Sequence, residues 1–482
     1  MTLKNKALSG IRWSTLSGLF VAVCQITQIS VLTKFLQPGD FGLMAIMMVV
    51  IGLAQLFVDM GMGNAIIHHQ KISHIQLSSL YWLNIGVGVL FTAILFILSP
   101  VIARFYNAPP LQNALSVLSV IFIIVAVGNQ YRVLCQKELQ LNRMAKIEIS
   151  ASFISLLVAI LLAFWGLGVY ALVFATLTQA TVSSLLFLLV GLKCHHRPAF
   201  IYQQKELKKF FNFGFFQLGE KTINYLHTQF DILLIGKVLG AEATGIYHIA
   251  KTLIVRTVTV INPIVTKVTI PLMAKLQNDD ESLKLIFIKT VNYVSLVSFP
   301  IFMAIAVLAK PLIFILFGEK WVQSVVILQV LAFYGMLRSA GNPVGSLILA
   351  KGRADLGFYW LFGVFLVSPL TLYVGSQWGI LGVAFSQLIL TLSLIIPGWL
   401  VLIKPLCGVS LWGYVRAFFI PFLMALSIAI ILLPINLVEN YLVRILATVL
   451  IGASLYIYIL SKFNKAFVSM IVQLTPSFMK KK

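Results

Sequence analysis

The sequence predicts an all-α polytopic membrane protein of about fourteen transmembrane helices, two six-helix lobes followed by two more helices. Three observations carry that reading. Of 482 residues, 60% are hydrophobic and only 10% charged, a balance that excludes a soluble globular domain of this size. Apolar runs of 18 or more residues recur along the whole length, which is what a bilayer-spanning helix requires. The first half also echoes in the second: TKFLQPGDFGLM, Thr33 to Met44, returns 203 residues later as GKVLGAEATGIY, Gly236 to Tyr247.

The elements follow in order. The basic start MTLKNKALSGIRW leads into a run of full spanning length without a small-residue cleavage site, so Trp13–Leu36 is expected as a retained first helix, not a signal peptide. Five more spans complete the first lobe: Phe41–Asp59, Ser78–Phe105, Leu111–Leu134, Ala145–Trp165 and Gly168–Leu192. A basic stretch, KCHHRPAFIYQQKELKKF, then separates the sixth span from the seventh. The second lobe is expected at Phe213–Lys237, Ala243–Ala274, Leu285–Phe317, Val322–Ala350, Gly357–Gly375 and Gly379–Ile403. Tyr414–Pro434 and Tyr441–Ser461 are the last two spans. The expected domains are therefore 1–192, a cytoplasmic linker 193–212, 213–403, and 404–482 with a basic tail.

Charge supports this count. With the N-terminus in the cytoplasm, the cytoplasmic side collects 25 of the 36 Lys and Arg residues, Arg132 and Lys146 among them. That bias survives all fourteen crossings, so both termini are expected in the cytoplasm. The net charge of +22 then reflects topology, and no nucleic-acid partner is needed to explain it. Cys24, Cys135, Cys194 and Cys407 lie within helices or on the cytoplasmic side, where thiols stay reduced.

Three further echoes make the repeat a duplication. SPVIARFY from Ser99 matches KPLIFILF from Lys310, LQLNR ending at Arg143 matches LAKGR ending at Arg353, and WGLGVYAL from Trp165 matches WGILGVAF from Trp378. They are collinear and nearly equal in offset, as a duplicated six-helix unit requires. An even number of spans per unit gives both copies one orientation, with an axis along the membrane normal and a substrate path between them.

The segment LQPGDFGLMAIMMVVIGLAQLFVDMGMGNAIIHH, Leu36 to His69, resembles the N-terminal signature of polysaccharide transporters. These are the lipid-linked oligosaccharide (Wzx-type) flippases of the MOP superfamily. The resemblance extends over the chain in span count, the 6+6+2 layout and the basic middle linker. It implies a V-shaped pair of lobes around a central cavity in the bacterial inner membrane. By alternating access these would carry an undecaprenyl-pyrophosphate-linked glycan to the outer leaflet, for O-antigen, capsule or exopolysaccharide, alongside other polysaccharide assembly proteins.

Two constellations are candidates for that work. In the seventh span Gln217, Glu220, Asn224, His227 and Asp231 step by three and four, so they share one helical face. Such a face is costly against lipid, at roughly 2.5–3.5 kcal/mol per central charge. The first span has a weaker stripe in Ser14, Ser17, Gln25 and Gln28. Both stripes are expected on a water-filled cavity; the plainer reading is polar glue between helices. The second constellation is cationic. Arg256 and Arg338 sit deepest, with Lys251, Lys237 and Lys34 behind them and Lys221 and Lys267 also within spans. Arginine's fork and lysine's compact charge both suit a pyrophosphate, whereas Lys34, Lys237 and Lys267 also read as snorkelling rim charges. Asp59 and Asp231 are expected to pair with these cations, or else to couple transport to H+ or Na+; Glu220 and His227 are candidate proton carriers.

Other features carry less. Pro263, Pro300, Pro343, Pro369, Pro397 and Pro421 are read as interrupting the second-half helices, with the first-half spans free of interior proline. The clusters at Cys194–His196 and at His68, His69 and His74 lack a fourth ligand at zinc spacing, so no metal site is expected. There is no phosphate-binding P-loop, and no cofactor is expected. The competing readings are a cation-coupled multidrug antiporter or a lipid II flippase on the same fold. A membrane glycan polymerase is disfavoured because every outer loop is short.

Overall fold

The computed structural model describes residues 3–59, 66, 72–194, 196–201 and 203–463, and among them the chain forms helices and turns without a strand. The helices are α1 (Leu3–Phe35), α2 (Pro38–Asp59), α3 (His74–Phe105), α4 (Pro109–Lys137), α5 (Leu141–Phe164), α6 (Val169–Cys194), α7 (Gln204–Val238) and α8 (Gly240–Lys275). Then come α9 (Asp280–Val307), a short helix at Ala309–Leu316 that divides the expected span Leu285–Phe317, α10 (Ser324–Ala350), α11 (Ala354–Ser376), α12 (Gly379–Cys407), α13 (Leu411–Ile431) and α14 (Tyr441–Phe463). Among the described residues, twelve helices are long and apolar enough to cross a membrane. Apolar length alone therefore does not establish the expected count of fourteen. Helices α7 and α8, 35 and 36 residues long, each include side chains outside the described residues and carry the polar stripe and most of the candidate cations. The protein is a multi-pass membrane protein.

Local chemistry sets the boundaries. Ser73 and Gln76 form a reciprocal capping box at the start of α3, Asp279 accepts from the Ser282 N–H before α9, and Ser410 accepts from the Gly413 N–H before α13. Gly240 (φ +87) and Gly379 (φ +71) turn the chain into α8 and α12 through the left-handed region. Both fall in or beside echoed segments. Pro100 lies inside α3, which corrects the expectation that first-half spans lack interior proline. The chain tolerates it as it tolerates Pro300, Pro343, Pro369 and Pro421 in α9, α10, α11 and α13. In α12 the ladder loosens to a π turn at Trp399–Ile403, between Pro397 and Pro405.

Two compact units divide the chain at His248/Ile249, within α8. In the first, α3 packs on α4, α4 on α6, α5 on α6, α1 on α5 and α2 on α7. A core of this unit draws on α2, α3, α4 and α6, with Ile46, Met47, Leu111, Leu115 and Phe122 fully buried. In the second unit α9 packs on α10, α10 on α12 and α11 on α12. Three pairings of the first unit thus recur six helices later. The additional helices α13 and α14 pack on α9, where the Tyr456 hydroxyl donates to the Leu296 carbonyl at 2.6 Å.

The linker is shorter as non-helical chain than 193–212. Helix α6 runs through Cys194 and α7 begins at Gln204, so the basic 205–209 segment is helical. Residues 196–201 are strapped to α3: Trp82 donates to the Ala199 carbonyl (2.9 Å) and stacks on Phe200, while Ser78 accepts from the Ala199 N–H.

Candidate substrate-binding site

In the first unit, α7 is seated by four contacts that fix its rotation. Tyr225 donates towards the Met48 and Val49 carbonyls (3.3 and 3.1 Å) in a notch left by Gly52, where a Cβ would overlap the hydroxyl. Gly236 lets α7 close on Ile46 and Tyr106. Asp231 is 2% exposed; its carboxylate accepts from the Tyr247 hydroxyl at 2.9 Å and from the Ile232 N–H at 2.8 Å. Lys237 donates to the Phe105 carbonyl at 2.6 Å, its ammonium 4.6 Å from the Phe105 ring centroid.

Along the predicted stripe, exposure falls from Asn224 (exposed) through His227 (half-buried) to Asp231 (buried). The side chains of Gln217, Glu220, Asp59 and Lys267 lie outside the described residues. On α1, Gln25 and Gln28 are half-buried, and the Gln25 side-chain oxygen is buried without a hydrogen-bond partner among the described residues. Lys34 is exposed in the last turn of α1.

In the second unit, Arg338 lines a cavity of about 300 Å³ together with Trp360, Thr391, Trp399 and Tyr414. Its guanidinium donates to the Tyr334 hydroxyl at 3.1 Å and lies 5.9 Å from that ring's centroid. Tyr334, one turn earlier on α10, thereby orients the fork. Lys251 is half-buried and Arg256 exposed on α8; neither is among the residues lining this cavity.

A further polar pocket went unread in the sequence. Within the first unit α1, α4, α5 and α6 enclose about 390 Å³ lined by Asn129, Arg132, Glu148, Ser152, Thr176 and Gln179 over an apolar wall. Arg132 and Glu148 pair across it (Nη2 to Oε1, 3.6 Å), Ser17 donates to the other carboxylate oxygen at 3.2 Å, and the Gln179 amide donates to Ser152 at 3.3 Å. In the sequence Arg132 reads as one of the cytoplasmic charges because it stands near the end of a span. Glu148, the one carboxylate in α5, is the signal the sequence offers.

The echoed segment has its own geometry. A Cβ on Gly42 would collide with the Ala241 carbonyl, and one on Gly245 with the Pro38 carbonyl. Pro38 and Ala241 are themselves equivalent in the repeat, as are the two glycines. Equivalent turns therefore meet backbone to backbone, each making to the other the contact it receives, as a two-fold relation demands.

Comparison with known proteins agrees with this architecture. The model of the family described as polysaccharide biosynthesis protein matches residues 31–326. The chain belongs to that family. It is 35% identical over 468 residues to the teichuronic acid biosynthesis protein TuaB of Bacillus subtilis (strain 168), covering 96% of each chain. It is 33% identical over 440 residues to the lipopolysaccharide biosynthesis protein WzxC of Escherichia coli (strain K12), 91% of this chain and 89% of that one. Among solved structures, the lipid II flippase MurJ in an inward closed conformation superposes with a TM-score of 0.75 at 14% identity, covering 94% of this chain and 99% of MurJ. An inward-facing multidrug resistance MATE transporter of the MOP superfamily gives 0.61 at 14% identity, over 85% of this chain and 94% of that one. At such identities these two likenesses concern the fold of the family member alone.

Proposed function

We propose that this protein is a flippase that moves an undecaprenyl-pyrophosphate-linked oligosaccharide repeat unit from the cytoplasmic to the outer leaflet by alternating access. Its product feeds a surface polysaccharide of the O-antigen, capsule or exopolysaccharide kind. The observation that carries this reading is full-length similarity to proteins named for lipopolysaccharide and teichuronic acid biosynthesis, in a chain with the fold of a lipid II flippase. The host membrane is the bacterial cytoplasmic membrane, with both termini in the cytoplasm as the charge bias indicates. The lobes of the duplication, 1–192 and 213–403, are the moving parts.

The chemistry of the site fits this cargo. A pyrophosphate has to leave the headgroup layer, and cations within spans lower that cost. Arg338 offers a tyrosine-oriented fork inside a cavity, and Lys251 and Arg256 add charge on α8. Transport moves an intact molecule without bond chemistry, so the protein acts as a transporter rather than an enzyme and needs no cofactor. Coupling to a proton or sodium gradient is the proposed drive, with Asp231 its candidate carboxylate. The drug-antiporter reading calls for acidic residues rather than a basic surplus, whereas this chain has 36 Lys and Arg against 14 Asp and Glu.

The test is mass spectrometry of lipid-linked glycans in a strain lacking the gene. A complete repeat unit on its lipid carrier is expected to accumulate, and surface polysaccharide to be lost. Normal surface polysaccharide without accumulation would refute the flippase.

A further inference from the structure

We propose that the pocket enclosed by α1, α4, α5 and α6 is a glycan-binding site, in which the Arg132–Glu148 pair grips hydroxyl groups of the sugar carried by the lipid. This rests on the flippase reading and assigns part of the cargo to one pocket of the first unit.

Charge is the first argument. The pocket holds one guanidinium and one carboxylate 3.6 Å apart, so its lining is neutral in sum. An anion site for pyrophosphate would show surplus positive charge, and a cation site would not set an arginine against its carboxylate. A neutral ligand rich in donors and acceptors suits the pair best.

Unspent hydrogen-bonding capacity is the second. At 3.6 Å the pair is an ion pair, not a hydrogen bond, and its side chains keep 55% and 36% of their exposure. A guanidinium has five N–H donors and a carboxylate about four acceptor sites. Among the described residues, Ser17 and Arg132 are the polar groups that meet that carboxylate. Two neighbouring sugar hydroxyls, each both donor and acceptor, bridge such a pair. Asn129, Thr176 and the Gln179 amide supply further partners around it.

The third argument is shape and place. Val21, Ile121, Val125 and Phe187 form an apolar wall that suits the C–H face of a pyranose, and about 390 Å³ lies in the range of small-ligand sites. Arg132 is five residues before the end of α4 and Glu148 seven after the start of α5. At 1.5 Å per residue they lie about 8 and 10 Å from the α4–α5 junction, the cytoplasmic end in the proposed topology. That is where a cytoplasmically assembled glycan enters.

The experiment measures affinity of purified protein in lipid nanodiscs for two probes. One is the lipid-linked repeat unit extracted from the deletion strain; the other is undecaprenyl pyrophosphate without sugar. Wild type is expected to bind the sugar-bearing lipid at least tenfold more tightly. Glu148→Gln and Arg132→Gln should erase that preference while leaving affinity for the bare lipid unchanged. Gln179→Ala, a milder change, should reduce it, which keeps the test open if a charge variant fails to fold. If wild type binds both probes equally, or the variants weaken both alike, the glycan pocket is refuted and the flippase reading stands. A sodium-dependent affinity lost in Glu148→Gln with the sugar preference intact would make this a cation site and overturn the proposal. If wild type binds neither probe, the flippase reading itself fails.

Discussion

Asp231 shows how the meaning of one side chain depends on its surroundings. On the sequence it is one of five polar residues on a helical face, a candidate partner for nearby cations or for a transported ion. In the fold it is a buried carboxylate that accepts from the Tyr247 hydroxyl and the Ile232 N–H. Removing a donor from a buried acceptor costs about 1–3 kcal/mol, so Tyr247→Phe should lower thermal stability measurably in detergent. Asp231→Asn is expected to change the pH or sodium dependence of export, assayed as surface glycan across a range of each; unchanged dependence would leave Asp231 as a structural partner of Tyr247. The cations make a separate prediction. Arg338→Ala and Arg256→Ala should abolish glycan export while membrane fractions still contain the protein. Normal surface glycan in both would remove them from the substrate path. Arg338, oriented by Tyr334 within a cavity, is expected to tolerate lysine poorly, because lysine cannot supply the fork.

Among the elements, the α1–α2 and α7–α8 turns hold the most specific structural claim. Gly42 and Gly245 let these equivalent turns meet at backbone distance, with Pro38 and Ala241 offering the opposing carbonyls. Backbone cannot yield as a flexible side chain does, so an added side chain has to push the helices apart. Gly42→Val and Gly245→Val should each destabilise by at least the 1–3 kcal/mol typical of overpacking, read as a lower melting temperature. Gly39→Val, on the same turn but with open space around its Cα, is the control; equal loss in all three would refute the contact. Helices α7 and α8 make the complementary point. At 35 and 36 residues they are the longest of the described helices. Two of their charged groups are met within the protein: Asp231 accepts from the Tyr247 hydroxyl and Lys237 donates to the Phe105 carbonyl.

For the whole molecule, the sequence by itself determined the class, the order of the helices and the duplication. Each depends on one-dimensional properties: apolar run length, charge bias and matched spacing. The repeat could be read because its matches sit at turns, where Trp165, Gly240 and Gly379 serve the chain's path rather than a substrate. Tertiary structure decided which polar residues meet. Arg132 and Glu148 are 16 residues apart on different helices, Ser17 is 131 residues from Glu148, and Gln179 comes from a fourth helix. In sequence, Arg132 was indistinguishable from the other charges that fix topology. Helical periodicity places residues on a face of their own helix, but it does not say which neighbour that face meets. Only packing, set by notches such as Gly52 beneath Tyr225 and Gly42 against Gly245, rotates each helix and brings distant polar groups into one pocket.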